Sequence, residues 1–193
     1  MLENLNKYDI LLASNSPRRR ELLSGLGIIF SVTALPDIDE SYPPKLQGGD
    51  IPAYISQQKA CSYKPLMKEN TLLITADTIV WLNDKVYGKP HDKASAKAML
   101  KDLSGNTHTV FTGVTICTKE TEKTFIAKSE VKFAKLDANE IDYYVENFIP
   151  LDKAGAYGVQ EWIGYVGVES ITGSYFNVMG LPVHKLYKEL SLL

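Results

Sequence analysis

Cysteine is scarce in this chain: only Cys61 and Cys117 occur among 193 residues, far apart and outside any CxxC spacing. That excludes a disulfide framework and a zinc knot, and it suits a reducing compartment. Histidine is nearly as scarce; His91, His108 and His184 are dispersed with no HExxH pattern, so nothing supports zinc and none of the three is given a catalytic role. No apolar run approaches the roughly 20 residues that cross a bilayer. The opening Met1-Leu2-Glu3-Asn4-Leu5-Asn6 lacks a basic stretch followed by an apolar one. The expectation is a soluble, unexported, cytoplasmic protein. A strong excess of one charge is missing too. The net charge of −2 argues against holding nucleic acid by net electrostatics and confines any polyanion site to a local cleft. Walker A, GxGxxG and GxSxG patterns are absent, which removes the common phosphate loops and the nucleophile elbow.

What is present begins with Leu11-Leu12-Ala13-Ser14-Asn15-Ser16-Pro17-Arg18-Arg19-Arg20-Glu21-Leu22-Leu23. The apolar run Ile10 to Ala13 reads as a short buried strand. Pro17 biases Ser16 toward extended geometry and suits the first helical position, which makes Ser16 the N-cap. Unpaired N–H groups and the positive dipole end then face a loop that also carries three arginines with phosphate-matching forks. Cations at a helix N-terminus oppose the dipole, and an anionic ligand would remove that conflict. The other reading is an ordinary capped surface helix with solvated arginines.

With 45% hydrophobic and 23% charged residues the composition is that of an ordinary globule, and with no repeat or linker visible one domain over residues 1–193 is expected. Leu35 to Asp50 is loop-like. Asp50 reads as an N-cap and Ala53 to Tyr63 as a helix closed by Pro65. Thr71 to Leu82 is the strongest strand signal, nearly continuously apolar apart from Asp77. Asn83-Asp84 turns into Lys85-Val86-Tyr87, and Gly88-Lys89-Pro90 breaks the hairpin. A helix from about Lys93 to Leu103, stopped by Gly105, precedes strands over Thr107 to Thr118 and Thr124 to Leu136. Asp137 to Glu140 resembles a capping box opening a helix to about Asn147. Strands are expected near Ala156 to Gln160 and Gly164 to Ile171, and a terminal helix from Pro182 to near Leu192. The class is mixed α/β.

Asp77 is the residue that most needs explaining, since an ionised carboxylate inside an apolar strand is costly unless paired, hydrogen-bonded or metal-bound. It either caps a nearby turn from a strand end or serves as a general base at a sheet crevice. Thr78 would face the other way in a regular strand and joins the same crevice only if the strand ends there. Lys59 and Lys89 read as solvated surface residues, although Gly88 and Pro90 confine Lys89 to a tight loop. Glu40, with Asp37 and Asp39, is either a solvated acidic loop or a set of oxygen ligands for Mg²⁺. The Gln160 amide can donate and accept toward a base edge. The aromatics from Trp162 to Tyr175 suit either base stacking or sheet packing. Arginines, lysines and carboxylates together suit metal-assisted hydrolysis of a phosphoanhydride by activated water.

The ordered set Leu12-Ala13-Ser14-x-Ser16-Pro17-Arg18-Arg19-x-Glu21-Leu22-Leu23, Ala76-Asp77-Thr78-Ile79-Val80, Gly88-Lys89-Pro90, Leu103-Ser104-Gly105, Asp152-Lys153-Ala154-Gly155-Ala156-Tyr157-Gly158-x-Gln160 and Gly173-Ser174-Tyr175 resembles the Maf family of nucleotide pyrophosphatases over nearly the whole chain. The resemblance implies an α/β fold with an elongated mixed sheet, flanking helices and a central cleft, similar to the inosine triphosphate pyrophosphatases. It implies hydrolysis of nucleoside triphosphates to the monophosphate and pyrophosphate with a divalent cation, Mg²⁺ or Mn²⁺. Carried over by residue, it makes Asp77 the general base, sets Ser14, Arg18, Arg19, Lys59 and Lys89 around the triphosphate, and makes Glu40 and Asp77 the metal candidates. Arg18, Thr78 and Gln160 match the subgroup acting on dTTP and UTP. Glu161-Trp162 departs from the small residue usual after Gln160, so a reshaped base pocket is expected. The implied partner is a nucleoside triphosphate, with no stable nucleic-acid partner, no membrane and a homodimer left open. The alternatives are a purine or methylated-GTP pyrophosphatase and a nucleotide-binding regulator of cell division.

Overall fold

The β-branched run Thr71–Leu82 forms one strand (β3), buried at nearly every position, as a strand covered on both sides requires. The computed structural model describes every residue except Met1, Pro36 and Asp37. Its other strands are β1 (Asp9–Ala13), β2 (Ser31–Thr33), β4 (Lys85–Tyr87), β5 (Thr107–Cys117), β6 (Glu122–Phe133) and β7 (Val168–Thr172). They join β3 in one seven-stranded sheet of order β2-β1-β3-β5-β6-β7, with β4 paired to β3. β1 is parallel to β2 and β3, whereas β4 on β3 and β7 on β6 are antiparallel. Helices α1 (Pro17–Ser24), α2 (Asp50–Tyr63), α3 (Lys93–Leu103), α4 (Ala138–Phe148), α5 (Trp162–Gly167), α6 (Tyr175–Met179) and α7 (Val183–Leu190) flank it. The mixed α/β class with one sheet between helices is as expected.

The chain divides into two units, the first of Met1–Asp77, Thr112–Ala127 and Gly180–Leu193, the second of Thr78–Phe111 and Lys128–Met179. In the first, Ala13, Ala60, Tyr63, Met67, Leu73 and Cys117 form a buried cluster against which Leu11, Leu35 and Ile38 pack. There α2 lies so close to β5 that a Cβ on Gly113 would stand 2.3 Å from Ala53 N and Pro52 C. In the second, α3 and α4 each open with a capping box, Asp92 with Ser95 and Asp137 with Glu140. Their apolar faces cover a core that includes Leu100, Leu103, Val131, Phe133, Tyr144 and Ile163.

Several elements differ from the sequence expectation. Helix α2 starts at Asp50 with Gly49 as its N-cap, so Asp50 lies in the first turn, where its charge favours the dipole. The strand expected over Ala156 to Gln160 is a short turn of 3₁₀ helix, Ala154–Ala156, followed by loop. Gly155 and Ala156 have φ of 68° and 58°, a left-handed geometry that no extended strand contains. The strand expected over Gly164 to Ile171 is α5 followed by β7. A Cβ on Gly164 would stand 1.8 Å from Val159 O, so this glycine lets the helix sit on the preceding turn. β6 stops at Phe133 rather than Leu136, since Ala134 N–H donates to Gly167 O and Leu136 N–H to Ser104 Oγ. The short β2 and α6 carried no sequence signal.

Candidate active site

The corner between β1 and α1 is built as its sequence suggests. Ser16 is extended and caps α1, its Oγ accepting from Arg19 N at 3.4 Å. Ser14, buried at the end of the strand, accepts from Ser16 N at 3.1 Å. Arg18 is half-buried and Arg20 exposed. Arg19 turns inward, donating Nε to Gly180 O at 2.9 Å and Nη1 to Ala76 O at 2.8 Å. The β1 ladder on β3 stops at Leu12 and Ile74, so Ala76 O lies beyond its reach and takes the guanidinium instead. Burial lowers the Arg19 pKa, opposed by Asp77 and Glu40 and reinforced by Arg18, and the group stays charged.

Asp77 does not lie at a strand end, because β3 runs on to Leu82. Period-two alternation puts Thr75 and Asp77 on one face and Thr78 on the other. Both residues of the first pair reach α2. Thr75 Oγ1 donates to Ser56 O at 2.7 Å, and Lys59 Nζ donates to Asp77 Oδ1 at 2.9 Å. Ser56 and Lys59 are three residues apart and so neighbours on one helix face. Ser56 Oγ also shares a hydrogen bond with Thr115 Oγ1 at 2.9 Å, which shares another with Thr124 Oγ1 at 2.8 Å. This chain of hydroxyls, buried at Ser56, Thr75 and Thr115, fastens the helix and thereby aims Lys59. The same ammonium is 2.8 Å from Glu40 Oε1. Lys59 and Asp77 side chains are only 12% and 13% exposed, against 51% for Glu40, so one largely desolvated cation joins a carboxylate mostly shielded from solvent to one open to it.

Ser14, Arg18, Arg19, Glu40, Lys59 and Asp77 therefore belong to the first unit, with Lys59 joining Glu40 to Asp77. Asp37 lies outside the described residues. Asp39 is occupied locally, accepting from Ser41 N and Oγ, each at 2.8 Å. Among the described residues no group of three or more His, Cys, Asp or Glu is placed to hold a metal. The oxygen donors at hand are Glu40 and Asp77, which converge on the Lys59 ammonium.

The second unit carries Thr78, Lys89 and Gln160. Lys89 is exposed beyond β4, and Gly88 O accepts from Gly155 N at 3.0 Å, which ties its loop to the segment leading to Gln160. Gln160 is half-buried with its Oε1 out of contact with solvent and without a hydrogen-bond partner. It sits in a turn closed by Glu161 N–H donating to Gly158 O at 2.9 Å. Two residues around this turn, Lys153 and Tyr144, were not singled out for function from the sequence. Lys153 is buried, with Nζ on Asp152 Oδ1 at 2.7 Å and Glu161 Oε1 at 3.0 Å. Tyr144 Oη donates to Glu161 Oε2 and accepts from Gly158 N at 2.9 Å. Burial and the Glu161 hydrogen bond push the Tyr144 phenol up, so it keeps its proton. The departure at Glu161 was the available signal. His108 is a core residue, bonded through Nε2 to Tyr157 Oη at 2.7 Å and packed edge-on to Phe133.

Relatives bear on what this arrangement does. A dTTP/UTP pyrophosphatase of Bacteroides thetaiotaomicron is 60% identical over 193 residues, 100% of both chains. One from Parabacteroides distasonis is 60% identical over 98% of both chains, and one from Porphyromonas gingivalis 53% identical over 98% of this chain and 96% of its own. Among solved structures, a Staphylococcus aureus Ham1 protein aligns with 65% of this chain and 72% of its own at 13% identity, with a TM-score of 0.48, too distant to add to the sequence relationship. The Maf-like protein family model matches residues 9–193 and so runs through both units. On that match and those full-length relatives, the chain belongs to the Maf-like family.

Proposed function

We propose that this chain, acting as one catalytic domain in the cytoplasm, hydrolyses dTTP and UTP to the nucleoside monophosphate and pyrophosphate. Relatives that share 53–60% of its residues over nearly their whole length carry that activity in their names. The observation that carries the mechanism is the Lys59 ammonium held 2.9 Å from Asp77 Oδ1 and 2.8 Å from Glu40 Oε1. Lys59 orients Asp77 through one oxygen and leaves Oδ2 to accept the proton of a water attacking the α-phosphorus. Ser14, Arg18, Arg19, Lys59 and Lys89 hold the triphosphate, with Arg19 also bracing Ala76, the residue before the base. Arg18, Thr78 and Gln160 select the pyrimidine; the buried, unpartnered Gln160 Oε1 supports a base edge as its missing partner.

The family implies a divalent cation, and the donor set fits one held by one or two carboxylates together with substrate phosphates rather than by an all-protein cage. Glu40 and Asp77 would hold it. When bound, it supplies charge neutralisation on the phosphoryl oxygens and the leaving pyrophosphate.

A panel of nucleoside triphosphates with Mg²⁺ or Mn²⁺, scored for pyrophosphate against orthophosphate, tests the reaction. The expected products from dTTP are dTMP and pyrophosphate; dTDP and orthophosphate would refute the cleavage site. Asp77→Asn should bind dTTP while losing about 10²-fold or more in kcat, and near-normal kcat would remove Asp77 from the mechanism. Faster turnover of GTP or methylated GTP than of UTP would overturn the pyrimidine preference alone. Nucleotide binding without turnover would favour a regulator.

A further inference from the structure

The turn that carries Gln160 is fastened at both ends to a single side-chain oxygen. At its start, Gly158 N–H donates to Tyr144 Oη at 2.9 Å. At its end, the Glu161 carboxylate accepts from the same phenol through Oε2 and from Lys153 Nζ through Oε1 at 3.0 Å. Glu161 occupies the N-cap position of α5 without capping it; its carboxylate is turned back across the turn instead. The fit leaves no slack. A Cβ on Gly158 would stand 2.8 Å from Glu161 Cδ and 3.0 Å from Lys153 Cε, and one on Gly164 would stand 1.8 Å from Val159 O. Tyr144 is itself fully buried on α4 and stacked on Phe148, so the phenol is a fixed point against which the turn is registered.

We propose that Tyr144, Glu161 and Lys153 form a clamp that presents the Gln160 amide to the substrate base, making Tyr144 and Glu161 positioning residues for base selection. The inference rests on the reading that Gln160 meets the base. Its physical logic is that an amide discriminates only when its donor and acceptor are held in register with the edge they read. A two-ended anchor supplies that register to a loop residue, which the turn backbone alone would leave free to pivot. Lys153 keeps the Glu161 charge compensated, and the Tyr144 proton fixes which carboxylate oxygen faces the turn.

The test compares Tyr144→Phe, Glu161→Gln and Gln160→Leu with the unaltered protein, measuring kcat and KM separately for UTP and GTP with Mg²⁺. Tyr144→Phe keeps the ring and removes the anchor. It should lower the UTP-to-GTP ratio of kcat/KM by about tenfold, chiefly through a higher KM for UTP. Glu161→Gln keeps an acceptor for the phenol and should retain most of the ratio. Added to Gln160→Leu, Tyr144→Phe should cause no further loss of selectivity, because the two act through one group. An equal fall in kcat for both nucleotides, or an unchanged ratio, would overturn the clamp. Amide hydrogen exchange reads the anchor without substrate. Exchange at Gly158 and Glu161 should speed up in Tyr144→Phe, and unchanged exchange would overturn the proposal even if Gln160→Leu showed that the base is read elsewhere. Should Tyr144→Phe fail to melt cooperatively, Glu161→Ala carries the same comparisons.

Discussion

Replacing Gly113 by alanine should disable the enzyme from the opposite end of the helix that holds Lys59. The added methyl carbon would lie 2.3 Å from Ala53 N, Pro52 C and Pro52 O, over 1 Å inside the contact distance of about 3.5 Å for non-bonded heavy atoms. All of these are backbone atoms, so no rotamer change relieves the overlap and the first turn of α2 has to retreat from β5 by roughly that amount. Ser56 follows one turn later, and a retreat of about 1 Å takes its 2.9 Å bond to Thr115 outside hydrogen-bonding range. Lys59 moves with it. Overpacking of this kind costs about 1–3 kcal/mol, and a chain of this size loses about 2–4 °C in Tm per kcal/mol. A fall of roughly 2–12 °C is therefore expected by calorimetry. The larger effect is on turnover: a misplacement of about 1 Å at a positioned catalytic group costs about 10²-fold, so kcat for dTTP should drop by about that factor. Wild-type Tm and kcat in Gly113→Ala would refute the close approach. A lowered Tm with intact kcat would refute the idea that the seating of α2 sets Lys59 on Asp77.

Two further outcomes follow from buried polar groups. Arg19→Lys should lose about 1.5–3 kcal/mol of stability in chemical denaturation, because an ammonium cannot reproduce the fork from Nε to Gly180 O and Nη1 to Ala76 O; full stability with Lys would refute the bracing role. Burial pulls the His108 pKa from 6.5 down to about 4, so the unfolded chain takes up this proton first as pH falls. The contribution of this site is complete above about pH 6.5 and is lost between there and about pH 4, on the order of 3 kcal/mol. Urea unfolding across that range should show His108→Gln to be less acid-sensitive than the native chain, and parallel curves would refute it.

The parts of this fold legible from sequence were those in which local chemistry and tertiary context agree. β3 declared itself because a strand buried on both faces needs an unbroken apolar run, and Ser16 and Asp137 sit at helix starts where their side chains satisfy orphan N–H groups. The region from Ala154 to Gly167 was misread because its geometry depends on contacts rather than on propensity. Val, Tyr and Trp there suggest strand, yet Gly155 and Ala156 are left-handed, and Gly164 is where it is because Val159 O occupies the space a side chain would fill. Asp77 stood out as the one charge in an apolar strand. Lys59 and Glu40 were named beside it, but the ion pairs that join Asp77 to Lys59 and Lys59 to Glu40 were not legible, since the three come from distant segments that only the fold brings together.

The arginines show how a sound electrostatic argument reached only part of the answer. Three cations at the start of α1 oppose its dipole, and a bound anion is one way to remove the conflict. For Arg19 the structure supplies another. Its guanidinium reaches past the helix terminus to two backbone carbonyls, Gly180 O and Ala76 O, whose partial negative charge offsets both the dipole and the cost of burial. The Ala76 carbonyl is available because the parallel ladder from β1 ends at Ile74, a fact about strand length that no property of Ser-Pro-Arg-Arg encodes. Arg19 thus links the capped corner to the backbone beside Asp77. A group read from sequence as a ligand for phosphate also fixes the strand that carries Asp77, so under the proposed mechanism its loss lowers kcat as well as raising KM.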